Sequence, residues 1–176
     1  MEKPGVLLIG CFLLQGALSL VFYGIPSILF SALVPPGVGE NLPWALRVLV
    51  LGYFGLGIAS IYGISLGGDL SAGKVLGMAY FAVGAVASIA VLLESRDSYE
   101  NPLLLVVFSA WLAVSLTGFL IVGTLKNPLP FKTASMVSML LLGASAAVSV
   151  LNAEWVVLDL VELLGSLEAL PIQGAG

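Results

Sequence analysis

The chain contains no histidine, a single cysteine and few charged side chains. Its 176 residues include six Lys or Arg and ten Asp or Glu. Without histidine, the commonest metal ligand, haem ligand and general base are missing. One cysteine, Cys11, excludes an intrachain disulfide and a thiolate metal cluster. We therefore expect no metal, no haem and no other cofactor.

The low content of charged residues also indicates that the protein is embedded in a membrane. Charged residues make up 9 % of the chain, hydrophobic residues make up 60 %, and the mean hydropathy is +1.14. Soluble domains carry about 25 % charged residues, so a lipid bilayer has to surround most of this protein. The net charge of −4 and the scattered basic residues argue against binding to nucleic acid.

Five long stretches of the chain carry no charged residue at all. They are Pro4–Gly39, Val48–Gly68, Val75–Leu93, Asn101–Leu125 and Thr133–Ala153. About 20 apolar residues in a helix cross the ~30 Å hydrocarbon core of a bilayer. The stretches lack the apolar–polar alternation of barrel strands, so the fold class is all-α: a polytopic membrane bundle of five transmembrane helices. Pro26 is expected to kink the first span, which ends before Pro35.

The chain divides into a transmembrane bundle over residues 1–153 and a tail over 154–176. Within the tail, Asp159, Glu162 and Ser166 are spaced to share one face of a helix whose other positions are mostly Val and Leu. This pattern predicts an amphipathic acidic helix. It lies at the membrane interface, docks on a partner through Asp159 and Glu162, or forms a sixth span.

The basic residues predict the orientation. Lys3, Lys74, Lys126 and Lys132 fall on one side of the five-span arrangement, and Arg47 and Arg96 fall on the other. Cytoplasmic connections collect Lys and Arg. We therefore expect a multi-pass cell-membrane protein with its N-terminus in the cytoplasm and its C-terminus outside.

Small residues recur every four positions in the second span, at Gly55, Ala59, Gly63 and Gly67. Helices in lipid associate through close backbone contact and a few polar bonds, because lipid tails are as apolar as leucine. The spacing predicts a ridge that packs on another helix of the bundle. The alternative is a contact between two copies of the chain.

A polar pattern recurs in the first span and predicts a cleft. Gln15, Ser19 and Tyr23 follow one another at intervals of four residues, and Tyr53 and Tyr80 of the next two spans are candidates to join them. In the last span Ser138, Ser145, Ser149 and Asn152 also share a face. Either these polar groups only bond neighbouring carbonyls, or they line a functional cleft.

Span 1 with its proline-ended exit, followed by Arg47, Gly52, Tyr53, Gly55 and Gly57, resembles small DoxX-like membrane proteins over about residues 6–125. The resemblance implies a compact helical bundle that accompanies a quinone-linked or respiratory membrane system. It transfers no catalytic residue, and the fifth span and acidic tail depart from the four-helix pattern of those proteins.

The types of residue in the spans limit the functions that we expect. No acidic or basic residue lies mid-span, which disfavours ion-coupled transport, and no catalytic template is present. We expect a protein that is not an enzyme: a small accessory subunit of a larger membrane complex, such as a respiratory complex, or a homo-oligomer. The alternative is a small carrier or channel for a neutral solute or lipid.

Overall fold

The computed structural model describes residues 3–22, 24–34, 42–94 and 102–151. Within these ranges the chain forms six helices: α1 (Lys3–Val21), α2 (Ile25–Ser31), α3 (Leu42–Ser65), α4 (Leu70–Glu94), α5 (Pro102–Thr124) and α6 (Lys132–Leu151). Five of them, all except α2, are long and apolar enough to cross a membrane. The predicted five-span helical bundle is confirmed.

The first span departs from the prediction of one kinked helix. Helix α1 ends at Val21, and a separate short helix, α2, begins at Ile25 with Pro26 in its first turn. Proline is well placed there because the first amides of a helix have no intrahelical partner. The chain therefore breaks before the proline, and α2 packs against α3 and α4 instead of extending α1.

The five long helices form a closed ring. Going around it, α1 packs on α6, α6 on α3, α3 on α4, α4 on α5, and α5 on α1. Side chains fill the interior, and the largest fully buried ones include Phe12, Tyr80 and Trp111. The opposite face of α5 is exposed, as Leu103, Val106 and Leu120 illustrate, and this is the face expected to contact lipid.

Each long helix buries a seam whose residues alternate between spacings of three and four. Such a seam repeats every seven residues, the spacing at which two helices stay in contact along their length. In α5 the buried seam is Phe108, Trp111, Ser115, Gly118 and Val122, and in α6 it is Ser135, Ser138, Leu142, Ser145 and Ser149. Small residues in the seams allow the backbones to approach.

Two basic side chains donate hydrogen bonds to backbone carbonyls at the C-terminal ends of neighbouring spans. Lys74 Nζ donates to the Leu125 carbonyl just past the end of α5, at 2.7 Å. At the other end of the bundle, Arg47 Nε donates to the Val150 carbonyl near the end of α6, at 3.3 Å. Cations at a helix C-terminus interact favourably with both the unpaired carbonyls and the helix dipole.

Candidate functional site

The contact between α3 and α4 uses different residues from the predicted ridge. A Cβ added at Gly55 would meet no atom within 4 Å, Ala59 is exposed, and Gly67 lies beyond the end of α3 with a φ of 99°. Gly63 alone lies at the helix contact. The ridge prediction therefore needs correction, because residues spaced by four turn about 40° further around a helix at each step and leave the contact face.

The residues that do meet follow a regular antiparallel register. They are Gly63 with Gly73, Ser60 with Gly77, Gly57 with Tyr80, and Tyr53 with Gly84. A glycine stands on one side or both in every pair. At the closest pair, a Cβ on Gly63 would come within 2.5 Å of the Gly73 Cα. The two backbones are therefore nearly in contact near one end of the bundle.

The residues of the predicted polar cleft that the structure describes are all buried. Gln15 is fully buried, and its Nε2 donates to Ser115 Oγ of α5 at 2.9 Å. Ser19 takes no part in this contact, because its hydroxyl bonds back to the Gln15 carbonyl at 2.7 Å. Tyr23 lies outside the described residues. Of the span 1 candidates, the described structure therefore places Gln15 in this contact between helices.

Tyr53 and Tyr80 lie in the same part of the interior, because the Cβ position of Gly84 is close to both the Tyr53 hydroxyl and Ser115, the partner of Gln15. Their rings stack with centroids 4.3 Å apart, and both side chains are buried. The Tyr53 hydroxyl faces the Tyr80 hydroxyl and the Trp111 indole nitrogen. We refer to Gln15, Tyr53, Tyr80, Trp111 and Ser115 as the central cluster, since each lies near the middle of its helix.

Gly84 makes the convergence of these groups sterically possible. The position of a Cβ at Gly84 lies 2.7 Å from the Tyr53 hydroxyl oxygen, 2.8 Å from Ser115 Oγ and 3.5 Å from Trp111 Nε1. Any side chain here would displace at least one of them. Glycine therefore lets three polar atoms from α3 and α5 approach the backbone of α4.

Four polar atoms of the central cluster are buried and make no hydrogen bond of good geometry, although three of them face one another around the Tyr53 hydroxyl. They are Gln15 Oε1, Tyr53 OH, Tyr80 OH and Trp111 Nε1. A buried polar atom left unpaired costs about 1–3 kcal/mol, and such groups are uncommon in folded proteins. Because the four lie together near the middle of their helices, this cluster is the candidate functional site.

Two serines of α6 support the first interpretation of the polar faces, in which the hydroxyls only bond neighbouring carbonyls. Ser138 and Ser145 bond back to carbonyls of their own helix, at 2.8 and 2.7 Å. Ser145 also lies 2.8 Å from the Gly16 carbonyl of α1, so it ties two helices together. Ser149 is buried as predicted, but its hydroxyl has no hydrogen-bond partner in the described structure, and Asn152 lies outside the described residues. Ser138 and Ser145 therefore serve packing.

Sequence reasoning missed Trp111, Ser115 and Gly84. A signal was available in α5, where Trp111 and Ser115, two residues that can form hydrogen bonds, are four positions apart and so share a face of the helix. Their meaning depended on knowing that α5 neighbours α1, where Gln15 lies. The proposed docking residues Asp159 and Glu162 lie outside the described residues.

Within the described residues, no group of three or more His, Cys, Asp or Glu side chains is placed to hold a metal ion. Comparison of the chain with models of known protein families, with curated proteins and with solved structures gives no match. The resemblance to DoxX-like proteins therefore stays a prediction. The fold itself defines the class: the chain is a multi-pass helical membrane protein.

Proposed function

We propose that the chain is a small non-catalytic integral membrane subunit that docks on other membrane helices. The observation that supports this is a strip of small residues on the outer face of α3. Gly52 and Gly55 would each accept a Cβ with no atom within 4 Å, and Ala59 is exposed beside them. Small residues spaced in this way let a second transmembrane helix approach closely.

The partner is another subunit of a membrane complex, or a second copy of the chain. The resemblance to DoxX-like proteins favours a respiratory complex. The acidic tail, with Asp159 and Glu162, is a second proposed attachment point. Its charge would make the contact sensitive to salt if the contact is exposed.

Replacing Gly55 with leucine is expected to remove the partner without unfolding the chain. The added side chain would hold the second helix away, while nothing within the chain lies near it. Gly10→Leu is the matched control, because Gly10 of α1 also has no atom within 4 Å of its added Cβ. Native mass and co-purification in mild detergent are the measurements.

In this experiment the wild-type chain and Gly10→Leu should migrate with a larger mass, and Gly55→Leu should migrate alone. A wild-type chain that migrates as a single 18.2 kDa protein, or a Gly55→Leu variant that keeps its partner, would contradict docking on this strip.

The second proposed function is a carrier or binding protein for a neutral membrane-soluble molecule. The unpaired atoms of the central cluster favour it. Polar groups within the membrane are costly and generally have a functional role. The arrangement fits an uncharged ligand, since Arg47 and Lys74 lie at opposite ends of the bundle and donate to helix carbonyls there.

We further propose that the protein lies in the cell membrane with its N-terminus in the cytoplasm. Lys3, Lys126 and Lys132 are all exposed, and they belong to the end of the bundle at which α1 begins and α5 connects to α6. Five passes then place the C-terminus outside. Single cysteines at the two termini, in a Cys11→Ala background, should differ in labelling by an impermeant reagent on intact cells. We expect labelling at the C-terminus alone, and equal labelling of both would refute the topology.

A further inference from the structure

We propose that a cavity at the lysine end of the bundle binds the phosphate group of an anionic phospholipid. The lysine end is the end at which α1 begins and α5 connects to α6, and the cavity lies between these two segments. Its volume is about 400 Å³, and it is lined by Pro4, Gly5 and residues 124–131. The inference goes beyond both proposed functions and depends on neither of them.

One wall of the cavity is held firmly against the rest of the bundle. Leu129, in the middle of the connection between α5 and α6, is buried. Its N–H donates to the Ile64 carbonyl at 2.7 Å, and its carbonyl accepts a hydrogen bond from Ser65 Oγ at 3.3 Å. Pro128 and Pro130 on either side restrict the backbone further. The cavity is therefore preformed, and a ligand loses little free energy in ordering this wall.

Four of the six basic residues of the chain lie around this cavity. Lys126 lines it, and Lys3 and Lys132 each adjoin a lining residue in the sequence; all three are exposed. Lys74 Nζ donates to the carbonyl of Leu125, another lining residue, at 2.7 Å. That bond uses one of the three N–H donors of the ammonium. One positive charge is therefore held in place beside the cavity, and three exposed ones lie near it.

The described residues bring little negative charge to the lysine end. Asp69 is the one acidic side chain that they place there, and its Oδ1 accepts a hydrogen bond from the Ser71 backbone N–H at 2.9 Å. Glu2 lies outside the described residues. Helices α1 and α6 also begin at this end, and the positive ends of their dipoles add to the potential. The lysine end therefore attracts an anion, although the net charge of the whole chain is −4.

The position of the cavity favours a lipid over a free anion. Pro4 and Thr124 lie at the ends of two membrane-spanning helices, and such ends reach the depth of the lipid headgroups. One turn further into the spans, Leu7 of α1 and Leu120 of α5 are exposed. Residues three or four apart share a helix face, so an acyl chain that continues from a phosphate in the cavity would pass these leucines. Basic cavities between spans bind anionic headgroups in other membrane proteins.

Lipid titration of the full chain in mild detergent, followed by native mass spectrometry, tests the proposal. Phosphatidylglycerol and phosphatidylcholine with identical acyl chains both contain a phosphate, but only the first carries a net negative charge. We expect phosphatidylglycerol to bind about tenfold more tightly, because several lysines act on it without an opposing choline. Glycerol phosphate supplies the phosphate without acyl chains, and at the same concentration it should not displace the lipid.

Lys126→Gln should weaken the binding of phosphatidylglycerol about tenfold, which corresponds to the loss of one hydrogen bond to a charged group. Lys132→Gln is the matched control. It removes the same charge from an exposed position at the same end, but Lys132 does not line the cavity, so we expect a loss of about twofold at most because salt screens exposed charges.

A third variant, Asn127→Trp, fills the cavity without changing the charge, because Asn127 is exposed and lines it. It should also weaken binding of phosphatidylglycerol. Since all three positions are exposed, the melting temperatures of the variants in lipid-free detergent should equal that of the wild-type chain, which shows that the fold is intact.

Each part of the proposal has a result that would overturn it. Equal losses for Lys126→Gln and Lys132→Gln, or unchanged binding by Asn127→Trp, would show that the lysines form only a diffuse positive surface and that the cavity is not the site. Equal binding of the two lipids would rule out recognition of the negative charge. Displacement by glycerol phosphate would mean that the cavity binds a soluble phosphate compound instead of a lipid.

Discussion

Replacing Gly63 with leucine is expected to lower the melting temperature of the purified chain by roughly 6–12 °C. Overpacking a tight contact costs about 1–3 kcal/mol, and each kcal/mol corresponds to about 2–4 °C in a domain of this size. The upper end applies here, because the added Cβ would meet the Gly73 Cα at 2.5 Å and the Asp69 carbonyl oxygen at 2.9 Å. Backbone atoms cannot rotate away as a flexible side chain would.

A double-mutant cycle makes the test specific. Gly73→Leu should cost a similar amount, because its Cβ would meet the Gly63 backbone at 2.7 Å. Both changes force the same two helices apart, so the double variant should lose clearly less than the sum of the two. Gly10→Leu should leave the melting temperature unchanged, since its surroundings are open. A Gly63→Leu chain as stable as this control would show that α3 and α4 do not meet here.

The number of spans was predictable because it depends on local properties. Length without charge is sufficient to identify a helix that crosses a bilayer, and each of the five stretches contains one helix long enough to do so. The break before Pro26 was harder to predict. Proline is compatible both with a kink in one helix and with the first turn of a new one, and contacts between α2 and its neighbours accompany the second outcome.

The inward faces were much less predictable, and α3 shows why. A transmembrane helix is apolar on every side, so hydrophobic contrast does not reveal which face is buried. The small residues from Gly55 to Gly67 are evenly spaced by four, but residues at this spacing turn progressively around the helix and do not stay on one face. The true seam, with Tyr53, Gly57 and Ser60, alternates spacings of four and three. The seam combines a large tyrosine, a glycine without a side chain and a polar serine. Because these residues have no chemical property in common, the sequence alone does not identify them as one buried face.

The central cluster was predictable in part. Gln15, Tyr53 and Tyr80 were identified from the cost of polar groups in lipid, which depends on residue type alone. Trp111 and Ser115 were missed because their role depends on which helices are neighbours. The order of helices in the ring is set by long-range contacts, and α1 packs mainly on α5 and α6, the two helices furthest from it in the chain, and only slightly on α2.

Replacing Lys74 with methionine is expected to destabilise the bundle by about 1.5–3 kcal/mol, the usual range for a hydrogen bond to a charged group. Lys74 is half-buried, and its Nζ lies 2.7 Å from the Leu125 carbonyl. Methionine keeps the apolar stem but cannot donate. The carbonyls at the end of α5 would lose a donor and a favourable charge together.

Lys126→Met is the matched control for this change. Lys126 lies in the connection after α5, at the same end of the bundle, and is exposed. Both variants remove one lysine from the predicted cytoplasmic side, so they alter the charge bias that orients the chain equally. Any difference between them in melting temperature therefore reports the bond to Leu125.

Hydrogen exchange should show which part of the bundle the Lys74→Met change destabilises. Loss of the Lys74 donor should speed exchange of the amides in the last turn of α5, which ends at Thr124, because fraying becomes easier where the terminal carbonyls are no longer held. The α6 end, where Arg47 donates to Val150, should be unaffected. Equal stability and equal exchange in Lys74→Met and Lys126→Met would mean that the bond from α4 to the end of α5 does not hold that end in place.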